Sequence, residues 1–200
     1  GGSGKVLSSL EISKSGDIFL SGSPDYMIKA INDGVVDPKS IRIIAYLVPA
    51  IIVPKDNPKN ITCLEDLAKP SIRVGIGNPD YVCVGKYAKE LLQYNGLWDN
   101  VSKSIVVYAE SCSKTASLVV TGSVDAIIGW HVFHYWNPDE TEIIWLKPEQ
   151  IPKISYICAA VTKYCHDRNL AEIFLDFLAN SEISKIILRQ YGYLTHEDVE

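Results

Sequence analysis

Apolar and polar positions along this chain follow two periods in turn, and the switches between them outline the fold. Residues 6–12 have the spacing of a short helix after Gly1-Gly2-Ser3-Gly4, and residues 17–20 read as a buried strand closed by Ser21-Gly22-Ser23. Residues 24–31 are helical as far as Asn32-Asp33-Gly34. Residues 41–53 form an apolar run too long for one ordinary strand, interrupted by Pro49 and closed by Pro54. That pattern predicts a strand that leaves one compact block, bends at Pro49 and enters another. Thr62-Cys63-Leu64-Glu65 reads as a capping box opening a short helix, with Pro70 beyond it. Strands over 72–77, 104–108, 124–130 and 142–146 follow, with helices over about 85–94 and 112–120 that stop at Asn95-Gly96 and Thr121-Gly122. Residues 154–161 make a second apolar crossing behind Pro152, and 169–178 and 183–191 are amphipathic helices, the last ended by Gly192.

This alternation predicts an α/β fold. The two crossings predict two lobes joined by a two-strand hinge: residues 1–47 plus 153–200 in lobe I and residues 48–152 in lobe II. The chain carries no internal repeat and no low-complexity segment.

A chain of 200 residues with 47% hydrophobic content has ample material for a buried core. A net charge of −5 argues against a nucleic-acid surface. It does not argue against an anion site built from neutral dipoles. No apolar run reaches the roughly 20 residues needed to span a bilayer, and the opening residues do not read as a charged-then-apolar leader. The five cysteines, Cys63, Cys83, Cys112, Cys158 and Cys165, are odd in number and none stands in CxxC spacing. A disulfide framework and a zinc site are both poorly supported, and buried or half-buried thiols are expected. In an exported protein such thiols would suit an anaerobic or reducing setting.

The candidate chemistry lies in four turns. Gly1-Gly2-Ser3-Gly4-Lys5, Cys83-Val84-Gly85 and Glu110-Ser111-Cys112-Ser113 each precede a helix, and Gly129-Trp130-His131 follows a strand. The first N–H groups of a helix lack intrahelical partners and sit at the positive end of its dipole, so a strand, turn and helix start make an anion cradle. No Lys or Arg lies between Val74 and Gly85, which leaves backbone dipoles to hold a guest there. Gly and Ser before a helix are ordinarily caps; the four turns together describe a cleft at the strand C-termini. His131 and His134 have the spacing of a metal pair but no third ligand around them, so no metal is expected. Cys165 and His166 are adjacent and point apart, which disfavours a catalytic dyad. Glu110 and Asp80 would repel an anion and are expected to face away or to cap helices.

Residues 75–90, Gly-Ile-Gly-Asn-Pro-Asp-Tyr-Val-Cys-Val-Gly-Lys-Tyr-Ala-Lys-Glu, resemble a stretch of the periplasmic molybdate/tungstate-binding proteins, the substrate-binding components of ABC importers. The family's Gly-Leu-Trp-Asp stands at residues 96–99, its strand ending in Phe-[Ile/Leu]-Ser-Ala is echoed by residues 16–22, and its closing segment by Phe174–Leu178, Ser181-Glu182 and Tyr191-Gly192-Tyr193. The resemblance implies the two-lobed type II periplasmic-binding fold, an extracytoplasmic location, a membrane permease as partner, no cofactor and no enzymatic activity. It also implies a tetrahedral oxyanion, molybdate or tungstate, held between the lobes. The positions that match the family's ligand contacts are Ser3 with Gly4, Val84 with Gly85, Cys112 and Trp130, the last standing where the family has a tyrosine. An indole N–H donates as a phenol does but at a different reach. Relatives that hold the metal oxyanion six-coordinately supply two carboxylates; Val82 and the Trp130-His131 region stand at those places, which implies a four-coordinate guest. The family's opening strand, helix and strand have no counterpart here. An outer lobe without them is expected to be completed by a further piece of chain or by pairing of copies along the exposed sheet edge. Two other classes remain open: the ligand-sensing domain of a transcription regulator with the same fold, and a Cys/His hydrolase. A site for sulfate, chromate or a small organic anion is a further alternative.

Overall fold

The computed structural model describes residues 2–199. Along the chain run α1 (Ser3–Ser13), β1 (Ile18–Ser21), α2 (Pro24–Asn32), β2 (Arg42–Leu47) and β3 (Pro49–Pro54). Then come β4 (Val74–Gly77), α3 (Cys83–Tyr94), α4 (Trp98–Val101), β5 (Ile105–Ala109), α5 (Cys112–Val120), β6 (Ala126–Trp130), α6 (Val132–Trp136) and β7 (Thr141–Trp145). The chain closes with β8 (Ser155–Val161), α7 (Arg168–Asn180) and α8 (Glu182–Gln190). It divides into two compact units, one made of Ser3–Leu47 and the chain from Ser155 onward, the other of Val48–Ile154.

The first unit has a three-stranded sheet in the order β1-β8-β2, with both pairings antiparallel. One core packs Leu7 and Leu10 of α1 with Phe19, Met27 and Ala30. Another packs Ile44, Ala159 and Val161 with Ala171 and Leu175 of α7. The helix α1 starts at Ser3, earlier than the apolar spacing from Val6 predicts, so Ser3 and Gly4 form its first turn. Glycine is required there: a Cβ on Gly4 would lie 2.7 Å from the Tyr26 ring on α2.

The second unit has a five-stranded sheet in the order β5-β4-β6-β3-β7. β4 pairs in parallel with β5 and β6, and β3 runs antiparallel to β6 and β7. Its strands read as near-continuous apolar runs because helices cover them: Val74, Ile76, Ala126, Ile128, Ile51 and Val53 are buried together with Leu91 and Leu92 of α3. The long apolar run breaks at Val48, whose backbone groups leave the ladder. Its N–H donates to His131 Nδ1 (3.1 Å) and its carbonyl accepts from the His131 N–H (2.9 Å).

The cap of the short 3₁₀ turn Leu64–Ala68 is shifted by one residue from the sequence pattern. Cys63 is the N-cap and Asp66, not Glu65, reaches back. The Asp66 carboxylate accepts from the Thr62 N–H (2.7 Å), Thr62 Oγ1 (3.1 Å) and the Cys63 N–H (3.3 Å). Asp66 takes this part because it stands at the third position of the turn once Cys63 is the N-cap. Gly96 (φ 67°) and Gly122 (φ 67°) end α3 and α5 in the left-handed conformation that a Cβ disfavours. Among the described residues no helix is long and apolar enough to cross a membrane.

Candidate functional site

The second unit gathers Val84, Gly85, Cys112 and Trp130 from three neighbouring strands. β4 and β5 lie side by side and in parallel, so the turns that leave them open α3 and α5 on the same edge of the sheet. The Asn78 N–H donates to the Ala109 carbonyl (2.8 Å) and ties the two turns together. Asn78 Oδ1 accepts from the Asp80 N–H (2.9 Å), and its carbonyl accepts from the Val82 N–H (2.9 Å), which shapes the chain into α3. Ser111 caps α5: its Oγ accepts from the Lys114 N–H (3.2 Å), and its carbonyl accepts from Thr115 Oγ1 (2.8 Å).

Gly85 holds its place by having no side chain. A Cβ there would lie 2.0 Å from the Gly77 carbonyl oxygen and 2.4 Å from its carbon, both backbone. Its own N–H is already donated to the Val82 carbonyl (3.0 Å). Gly85 therefore lets α3 approach β4 and leaves donation to its neighbours.

Those neighbours converge on the Cys112 sulfur. Cys83, the first residue of α3, places its Sγ 3.7 Å from Cys112 Sγ, at the first residue of α5. The Cys112 thiol is held below its ordinary pKa chiefly by the Cys83 thiol, against the opposing effect of burial. The Val84 amide, the Trp130 indole and the Cys112 amide lower it further. The remaining thiols shift the other way through burial: Cys63 and Cys165 are raised, and Cys158 is pushed up to about 12.

Trp130 ends β6 with its ring 2% exposed, packed edge-on to Tyr87 with centroids 4.9 Å apart. Its Nε1 is buried and has no hydrogen-bond partner in the structure, while its N–H faces the Cys112 sulfur. A buried donor left unmatched costs about 1–3 kcal/mol, so such a group calls for an explanation. Glu110 bridges to Lys114 with both side chains well exposed, and Asp80 is exposed beyond the turn.

In the first unit, Ser3 Oγ accepts from the Gly22 N–H (3.2 Å) at the turn after β1 and keeps its own hydroxyl hydrogen to give. Gly4 follows it in the opening turn of α1. Ser23, the N-cap of α2, was not singled out by the sequence; its Oγ is buried and has no partner. Cys83 was seen only as part of a turn, since nothing in a separation of 29 residues marks it as the neighbour of Cys112.

His131 and His134 do not form a ligand pair. His131 accepts from Val48, and His134 Nδ1 lies 3.1 Å from Thr141 Oγ1. Among the described residues no group of three or more His, Cys, Asp or Glu side chains could hold a metal ion. His166 is spread over Asp17, its N–H donating to Oδ1 at 2.9 Å, and forms no dyad with Cys165.

Residues 1–194 match the family of bacterial extracellular solute-binding proteins. A Haemophilus influenzae chain named as a binding protein is 34% identical over 64% of this chain and 51% of its own length, so the chain spans about half of that relative. YvgL of Bacillus subtilis, named as an ABC transporter substrate-binding lipoprotein, is 28% identical over 96% of this chain and 73% of its own length. Among solved structures, the periplasmic molybdate-binding protein of Azotobacter vinelandii superposes with a TM-score of 0.82 at 21% identity, over 97% of this chain and 84% of that one. The sulfate-binding protein SubI of Mycobacterium tuberculosis superposes with a TM-score of 0.83 at 17% identity, over 100% of this chain and 75% of that one. With an α/β type II architecture and helix N-termini collected at one sheet edge, this chain belongs to the bacterial extracellular solute-binding proteins.

Proposed function

We propose that the chain binds a tetrahedral oxyanion, molybdate or tungstate, outside the cytoplasm and presents it to the membrane permease of an ABC importer. One observation carries this reading: the buried, unpartnered Trp130 indole N–H beside the amides of Val84 and Cys112. These are neutral donors at the positive ends of two helix dipoles, suited to an anion and indifferent to the chain's net charge. The Ser3 hydroxyl and the Gly4 amide of the first unit complete the donor set in this reading. Molybdate is the guest named for the Azotobacter structure, which supports the choice, as do the motifs over residues 75–90.

Each hydrogen bond to a charged group is worth roughly 1.5–3 kcal/mol. Five of them, after the costs of association, support a dissociation constant below about 1 μM. Titration calorimetry with molybdate, tungstate and sulfate tests the reading. Saturable one-to-one binding of molybdate or tungstate, weakened about 10- to 100-fold by Ser3→Ala, is expected. No heat with any of the three would overturn it.

A further inference from the structure

We propose that Cys83 and Cys112 are a redox-active thiol pair built into the anion-binding half-site, and that closing them to a disulfide raises its affinity for an oxyanion. The pairing is geometric. The two sulfurs are 3.7 Å apart, at the first residues of two helices that leave adjacent parallel strands. An S–S bond is about 2.05 Å, so the sulfurs must approach by well under 2 Å. The Trp130 indole N–H, buried and without a partner, lies near the same sulfur. The coupling to anion binding rests on the function proposed above; the disulfide itself does not.

The two thiols are suited to different steps. Cys112 is partly exposed and lies among N–H dipoles that lower its pKa, so it reaches an oxidant and is the attacking thiol. Cys83 is 5% exposed and resolves the intermediate. With a small-molecule disulfide as oxidant, the Cys112 thiolate attacks one of its sulfurs. The oxidant's S–S bond breaks, one thiolate leaves, and a mixed disulfide remains on Cys112. Cys83 then gives up its proton and attacks Cys112 Sγ, expelling the second thiolate. Two protein thiols lose two electrons, one small disulfide gains them, and the two protons pass to the departing thiolates.

Oxidation changes what the donors see. In the reduced pair the Cys112 sulfur draws on the Val84 and Cys112 N–H groups. A disulfide sulfur is a poor acceptor. Closing the bond releases those donors.

The test treats the whole chain with oxidised glutathione, unfolds it in denaturant, blocks residual thiols with iodoacetamide and maps the peptides. A Cys83–Cys112 linkage is expected, with Cys63, Cys158 and Cys165 alkylated. Arrest as a Cys112–glutathione adduct, linkage through any other cysteine, or five alkylated cysteines would overturn the pairing. Molybdate titrations of reduced and oxidised protein then read the coupling. Oxidation is expected to tighten binding on the order of tenfold, and to leave a Cys83→Ser/Cys112→Ser variant unmoved. Equal affinities before and after oxidation would overturn the coupling. If neither state of the wild-type chain binds molybdate, the proposed ligand falls, while the peptide map still decides the thiol pair.

Discussion

Replacing Gly85 with alanine puts the packing of the β4–α3 turn to a quantitative test. Helix propensity alone favours the change, by about 1 kcal/mol, since Gly85 is the third residue of a 12-residue helix. The structure opposes it. The added Cβ would sit 2.0 Å from the Gly77 oxygen, 2.4 Å from the Gly77 carbon and 2.8 Å from the Asn78 carbon. All three are backbone atoms that cannot rotate aside. The strand end or the whole helix start must move, an overpacking cost of about 3 kcal/mol. The net expectation is a loss of about 2 kcal/mol, which in a chain of this size lowers Tm by about 4–8 °C. Thermal and urea unfolding of Gly85→Ala against wild type measure it. Gly129→Ala is the comparison: its Cβ would meet the ring of the buried Phe133, 2.5 Å away, which is a side chain and not backbone. A Gly85→Ala protein as stable as wild type would refute the claim that backbone contact dictates this glycine.

Other expectations follow from the same geometry. Trp130→Phe keeps an aromatic ring against Tyr87 but removes the buried N–H. Unfolding stability in the absence of anion is expected to stay within about 1 kcal/mol, since an unmatched donor disappears with the lost volume. Oxyanion affinity should fall about tenfold or more by calorimetry; unchanged affinity would remove Trp130 from the site. Cys158 is buried with its pKa raised from 9.0 to about 12, so the folded state keeps a proton that the unfolded chain has already released in that window. Its stabilising contribution is complete below pH 9 and is lost as pH rises toward 12. Urea unfolding between pH 8 and 11 should show wild type losing roughly 1.4 kcal/mol per pH unit above 9 relative to Cys158→Ala. Parallel stability curves for the two proteins would contradict the assignment.

Much of the architecture was legible because period and punctuation agree. The β-branched run before Gly77, the Ala/Leu-rich stretch after Gly85 and the stop at Gly96 name a strand, a helix and its left-handed end from local chemistry alone. Three features were not local. The antiparallel order β1-β8-β2 joins strands from opposite ends of the chain, which periodicity cannot report. The break at Val48 is set by His131, 83 residues away, taking up its backbone groups. The early start of α1 depends on Gly4 clearing Tyr26, a contact between helices that apolar spacing does not encode.

The candidate site divides in the same way. Val84, Cys112 and Trp130 could be proposed because each stands at a strand–helix junction. That Cys83 touches Cys112 followed only once β4 and β5 were neighbours in parallel. Gly85 matched the motif as a contact residue. The structure gives it a positioning role instead, because its N–H is held by Val82.

The indole N–H resonance of Trp130 offers the most direct reading of the central claim. In a ¹⁵N-labelled chain four tryptophan indoles, at positions 98, 130, 136 and 145, report separately. Titration with molybdate should move the Trp130 signal saturably, as a lone buried donor gains a charged acceptor, and leave Trp98 nearly still. A Trp130 indole signal unmoved at molybdate concentrations that saturate binding would contradict the account.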